Sequence, residues 1–79
     1  MADHLFLEEN GYFAYAFASE MADGKWEAFV VFERKADHQK TLVPCVKHRL
    51  VKQFEEFDRA MAAAGEFALD RMQRDETGL

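Results

Sequence analysis

Large and small apolar side chains alternate through the run "YFAYAFAS" at residues 12 to 19. A side-chain period of two, enriched in aromatics, predicts a β-strand. A second run of the same character, "KWEAFVVFER", occupies residues 25 to 34, and Asp23-Gly24 lies between the two. Asp-Gly flanked by alternating apolar residues is a strong short-range hairpin signal. Residues from about 11 to 34 are therefore expected to form an antiparallel hairpin.

Loop length decides which faces of a hairpin coincide, because a shift of one residue moves every side chain to the other side. With a two-residue or four-residue loop, odd residues of the first strand share a face with even residues of the second. That parity makes Phe13, Tyr15, Phe17, Met21, Trp26, Ala28, Val30 and Phe32 the core face. The reverse face then holds Tyr12, Ala14, Ala16, Ala18, Phe29 and Val31, bounded by Glu20, Glu27 and Glu33. A bulged three-residue loop exchanges the sets.

After the polar connector "KADHQK", the stretch "TLVPCVKHRLVKQF" admits two readings. In one it is a third strand over about 42 to 53, with Val46, His48 and Leu50 on one side, Lys47 and Arg49 on the other, and Pro44 at an edge or bulge. In the other a helix starts at Pro44 and uses Val46, Leu50, Phe54 and Phe57 as its stripe. Continued to the end of the helical pattern, that helix runs for about thirty residues and roughly 45 Å, which is long for a compact domain of this size. The strand is the favoured reading.

From about residue 55 to 73, Phe57, Met61, Ala64, Ala68 and Met72 recur at three-residue and four-residue steps, the period of an amphipathic helix. Glu55, Glu56 and Asp58 suit its N-terminal dipole, Arg71 and Arg74 its C-terminal one. Ala60, Ala64, Gly65 and Ala68 make one face small, fit for close approach to a sheet crowded with aromatics. The tail "RDETGL" is expected to fray. "HLFL", at residues 4 to 7, either extends the first strand or, given Asn10-Gly11, forms its own. The expected fold is α+β: a three-stranded, possibly four-stranded, antiparallel sheet with one long C-terminal helix packed on one face.

A chain of 79 residues is expected to fold as a single small domain with one core, 49% of its residues being hydrophobic. The net charge of −5 is unevenly distributed: Lys25 is the only base before Arg34, while residues 34 to 52 carry Arg34, Lys35, Lys40, Lys47, Arg49 and Lys52 against Asp37. Cys45 is the only cysteine, so an intramolecular disulfide is excluded and a cytoplasmic location is the natural expectation. No apolar run is long enough to span a membrane, and "MADHLFLEENG" places acids where a signal peptide carries a basic segment.

The string "GYFAYAF…ADGKWEAFVVFER…QFEEFDRAMAAAGEFALDRM" resembles small bacterial βββα proteins that combine a Gly-Tyr opening, an Asp-Gly-basic-Trp hairpin turn and a final alanine-spaced helix. More distantly it is similar to HicB-like antitoxin domains, which also run a hairpin into a helix with regularly spaced alanines. The resemblance implies a bacterial α+β protein, and no functional residue is carried over from either group.

Chemistry is sparse. His4, His38, His48 and Cys45 lack the tight spacing of a zinc site. Cys45 and His48, three residues apart, point to opposite faces if they lie in a strand. No catalytic residue, metal ligand or cofactor is assigned, and a non-enzymatic chain is expected. Two surfaces remain. The reverse face of the hairpin, with Tyr12, Ala14, Ala16, Ala18, Phe29 and Val31, is apolar where an exposed sheet face is normally polar, and reads as a homodimer or protein interface. Lys47, Arg49 and Lys52 are the alternative, a contact for nucleic acid or an acidic partner, unless they pair with the chain's own Glu27 and Glu33. The expected function is thus a self-associating interaction or regulatory module, with a nucleic-acid-associated regulator as the rival.

Overall fold

A computed structural model describes residues 4 to 79. Four strands, β1 (His4–Glu9), β2 (Tyr12–Glu20), β3 (Trp26–Arg34) and β4 (Cys45–Arg49), form one antiparallel sheet in the order β1-β2-β3-β4. A helix, α1 (Phe57–Gln73), packs on one face of it. The fold is α+β, with "HLFL" in a strand of its own.

Each connection is written in its residues. Asn10 and Gly11 both take positive φ, 53° and 82°, as a two-residue type I′ turn between Glu9 and Tyr12 demands. The β2–β3 connection differs from the expected parity. The Gly24 N–H donates to the Met21 carbonyl at 3.0 Å and the Met21 N–H to the Lys25 carbonyl at 2.7 Å, while Gly24 has φ 85°. This is a three-residue loop, a type I turn closed by a glycine in the left-handed region. It sets Ala14 opposite Phe32, Ala16 opposite Val30 and Ala18 opposite Ala28, so even residues of both strands share a face.

The consequence is a correction to the expected core. Tyr12, Ala14 and Ala16 are buried, and Ala18 packs beside them; all lie on the helix face with Ala28, Val30 and Phe32. Phe13, Tyr15 and Phe17, expected in the core, stand on the uncovered side. Small residues meet small ones across the layers: Ala60, Ala64 and Ala68 of α1 lie fully buried against a sheet centred on Ala14, Ala16 and Ala28. Larger groups close the ends and flanks, among them Phe32, Met72, Trp26, Phe54 and Phe67. Burial of a side chain such as Phe32 contributes about 1.5–3 kcal/mol. A Cβ built on Gly65 falls 3.3 Å from Leu5 Cδ2, so α1 also approaches β1 closely.

The segment after Pro44 is a strand, although shorter than expected, and the Phe54–Trp26 backbone pair continues the β3 edge beyond it. The C-terminal tail is docked rather than frayed. The Glu76 N–H donates to the Arg71 carbonyl at 2.8 Å and the Asp75 N–H to Met72 at 3.2 Å, with Asp75 at φ 57°; together these form a Schellman cap. The Tyr12 hydroxyl donates to the Asp75 carboxylate, and His48 Nε2–H donates to the Thr77 carbonyl at 2.8 Å. Thr77 is buried, and Leu79 packs against the core.

Candidate functional site

With α1 on one side, the other side of the sheet is left uncovered among the described residues, and the register brings its residues into three cross-strand rows. Glu8, Phe13, Glu33 and Cys45 form the first; Phe6, Tyr15, Val31 and Lys47 the second; His4, Phe17, Phe29 and Arg49 the third. The rings form a band of two groups. Phe6 contacts Phe13 and Tyr15 at centroid distances of 5.2 and 5.3 Å, and Phe17 stacks on Phe29 at 5.2 Å. Phe6 is 48% exposed, and the other rings are half-buried by one another. His4, Tyr15, Phe17 and Ala18 bound a shallow recess of about 400 Å³ between the two groups.

Polar groups on this face are largely engaged within the chain. The Lys47 ammonium lies 4.7 Å from the Phe29 ring centre and 5.4 Å from that of Phe17, a cation–π arrangement. Arg49 pairs with Glu27 at 3.6 Å, the self-pairing that the charge pattern allowed. Lys35 pairs with Glu8. Glu33 Oε1 accepts the Tyr15 hydroxyl at 2.7 Å and His38 Nδ1–H at 2.9 Å, while the His38 ring meets Phe13 edge-on at 5.1 Å. The hydrogen bond to Glu33, with burial and the nearby negative charge behind it, pushes the Tyr15 hydroxyl above its ordinary value, so this phenol stays a donor.

Of the residues expected at an interface, Phe29 and Val31 lie on the uncovered face, whereas Tyr12, Ala14, Ala16 and Ala18 belong to the side beneath α1. The three-residue loop is the reason. Phe6, Phe13, Tyr15 and Phe17 take their place, and the signal for them was Gly24 at the third position of a three-residue loop. Of the basic set, Lys47 and Arg49 project together from β4, but Lys52 lies beyond the strand, over the Phe54 ring at 5.5 Å. Cys45 is exposed on the uncovered side, and His48 is on the helix side, edge-on to Phe32. Among the described residues no three His, Cys, Asp or Glu side chains group closely enough to hold a metal ion.

Compared with protein-family models, curated proteins and solved structures, the chain finds no match.

Proposed function

We propose that this chain is a non-enzymatic interaction module that self-associates, as a homodimer, through the uncovered sheet face. The carrying observation is the aromatic band of Phe6, Phe13, Tyr15, Phe17 and Phe29 on a face that no element among the described residues covers. A contiguous apolar surface with a charged rim is the anatomy of a protein interface. Its charges are of both signs, Glu8, Glu27 and Glu33 with Lys47 and Arg49, which suits a second copy of itself better than a partner of one sign. Strands of six, nine, nine and five residues, spaced about 4.8 Å apart and rising about 3.3 Å per residue, give a footprint of roughly 460 Å² before side-chain relief is counted. That is a little over half of the about 800 Å² per partner in a standard interface, the size of a modest, reversible contact.

Edge pairing through β4 is the weaker geometry: a two-fold antiparallel pairing about the centre of Cys45–Arg49 sets Lys47 against its own copy, and like charges opposite one another are destabilising. Face-to-face packing has no such penalty built in.

Sedimentation equilibrium tests the proposal. The native chain is expected to dimerise, and Phe29→Glu, which places a charge within the aromatic band while leaving the core face alone, to shift it to monomer. A native chain that remains monomeric at high micromolar concentration overturns the reading. The rival, a nucleic-acid-associated regulator, draws on Lys47 and Arg49 beside rings on which bases could stack. The engaged state of both cations and the net charge of −5 weigh against it. Absence of DNA or RNA binding even at low salt removes it. A cytoplasmic, bacterial setting belongs to the same proposal; among the described residues no helix is long and apolar enough to cross a membrane.

A further inference from the structure

Glu33 is a carboxylate that the aromatic face holds on an inner strand, between Phe13 of β2 and Cys45 of β4. Its side chain is only 10% exposed, while that of its neighbour His38 is 54% exposed. A second copy seated on this face removes the remaining water from both at once. A carboxylate taken out of water requires a counter-charge and satisfied hydrogen bonds. Neutral imidazole supplies a hydrogen bond alone, whereas imidazolium supplies the bond and the charge.

The surrounding groups leave this role to His38. From β2, Tyr15 gives Glu33 a neutral hydroxyl, and from β4 Cys45 gives a thiol as its cross-strand neighbour. Lys47 rests on Phe17 and Phe29. From β1, Glu8 is held by Lys35, and the His4 ring lies 6.4 Å from Tyr15. On the segment that carries His38, Arg34 and Lys40 both turn to Asp37, at 3.3 and 2.6 Å. His38 is the one ionisable nitrogen hydrogen-bonded to Glu33 among the described residues.

We propose that association through the uncovered face takes up a proton at His38 of each copy, so that the dimer tightens as pH falls through the range in which histidines titrate. This rests on the self-association reading. With one such group per copy, linkage limits the change in the dimer association constant to about a hundredfold per pH unit.

Sedimentation equilibrium at constant ionic strength, at pH 8, 7 and 6, tests it on the native chain and on His38→Gln, His4→Gln and Glu33→Gln. Native association is expected to strengthen at least about tenfold from pH 8 to pH 6, and His4→Gln to keep that dependence. His38→Gln and Glu33→Gln are expected to associate with little pH dependence, Glu33→Gln binding more tightly than the native chain at pH 8. A flat native profile, or a slope that survives His38→Gln, overturns the proton linkage and leaves self-association standing. A native chain that stays monomeric at every pH overturns self-association, and this inference with it.

Discussion

Tyr12 shows how one side chain joins distant parts of the chain. Its ring is buried beneath the end of α1, and its hydroxyl donates to Asp75, the residue held in the left-handed region at the helix C-terminus. That hydrogen bond, and burial after it, raises the Tyr12 hydroxyl above its ordinary value. A group whose pKa is raised by folding contributes stability that is fully present below the unfolded value, near 10, and is lost as pH rises through the folded one. Tyr12→Phe is therefore expected to lower stability by about 1 kcal/mol at neutral pH. The deficit should shrink at strongly alkaline pH, where the native phenol ionises; urea titrations at both pH values read the difference. Lys40, with Arg34 behind it, holds Asp37 below the ordinary carboxylate value, which fixes the turn that presents His38.

At the scale of elements, α1 and the sheet are matched by smallness. Alanines at four-residue steps in α1 face alanines at two-residue steps in β2, so the two backbones come close and the bulky side chains move outward to the ends of the layer and to the uncovered face. Gly65 sits where α1 nears β1, and its nearest obstacle is the tip of the Leu5 side chain, itself 43% exposed and free to move aside. Gly65→Ala is expected to stabilise the chain by up to about 1 kcal/mol, the helix-interior cost of glycine. Thermal unfolding should then shift upward by several degrees; a fall in the midpoint would mean that Leu5 is locked in place.

For the whole molecule, among the described residues α1 covers one side of the sheet and leaves the aromatic side open. The proposed association uses that open side. If folding and dimerisation are linked in this way, the midpoint of thermal unfolding rises with protein concentration by mass action. Scans spanning a hundredfold in concentration should show that rise for the native chain and a flat response for Phe29→Glu. A concentration-independent native midpoint would count against a dimer in this range.

The sequence alone determined the local elements: the period of two in residues 12 to 19 and 25 to 34, Asp23-Gly24 between them, and the helical spacing of Ala64, Ala68 and Met72 all lie within the reach of neighbouring residues. It also placed Lys47 and Arg49 together on one side of a strand, because alternation needs no partner. What only the tertiary structure decided was which side of β2 meets the helix. That choice turned on the hydrogen bonds of Met21, Gly24 and Lys25, where one residue more or less in the loop moves Phe13, Tyr15 and Phe17 from core to surface and Ala14 and Ala16 the other way. The cluster of Tyr15, Glu33 and His38, and the docking of Asp75 and Thr77 onto Tyr12 and His48, were likewise beyond local pattern. Such contacts join residues far apart in the chain, and their geometry exists only once the strands have taken their register.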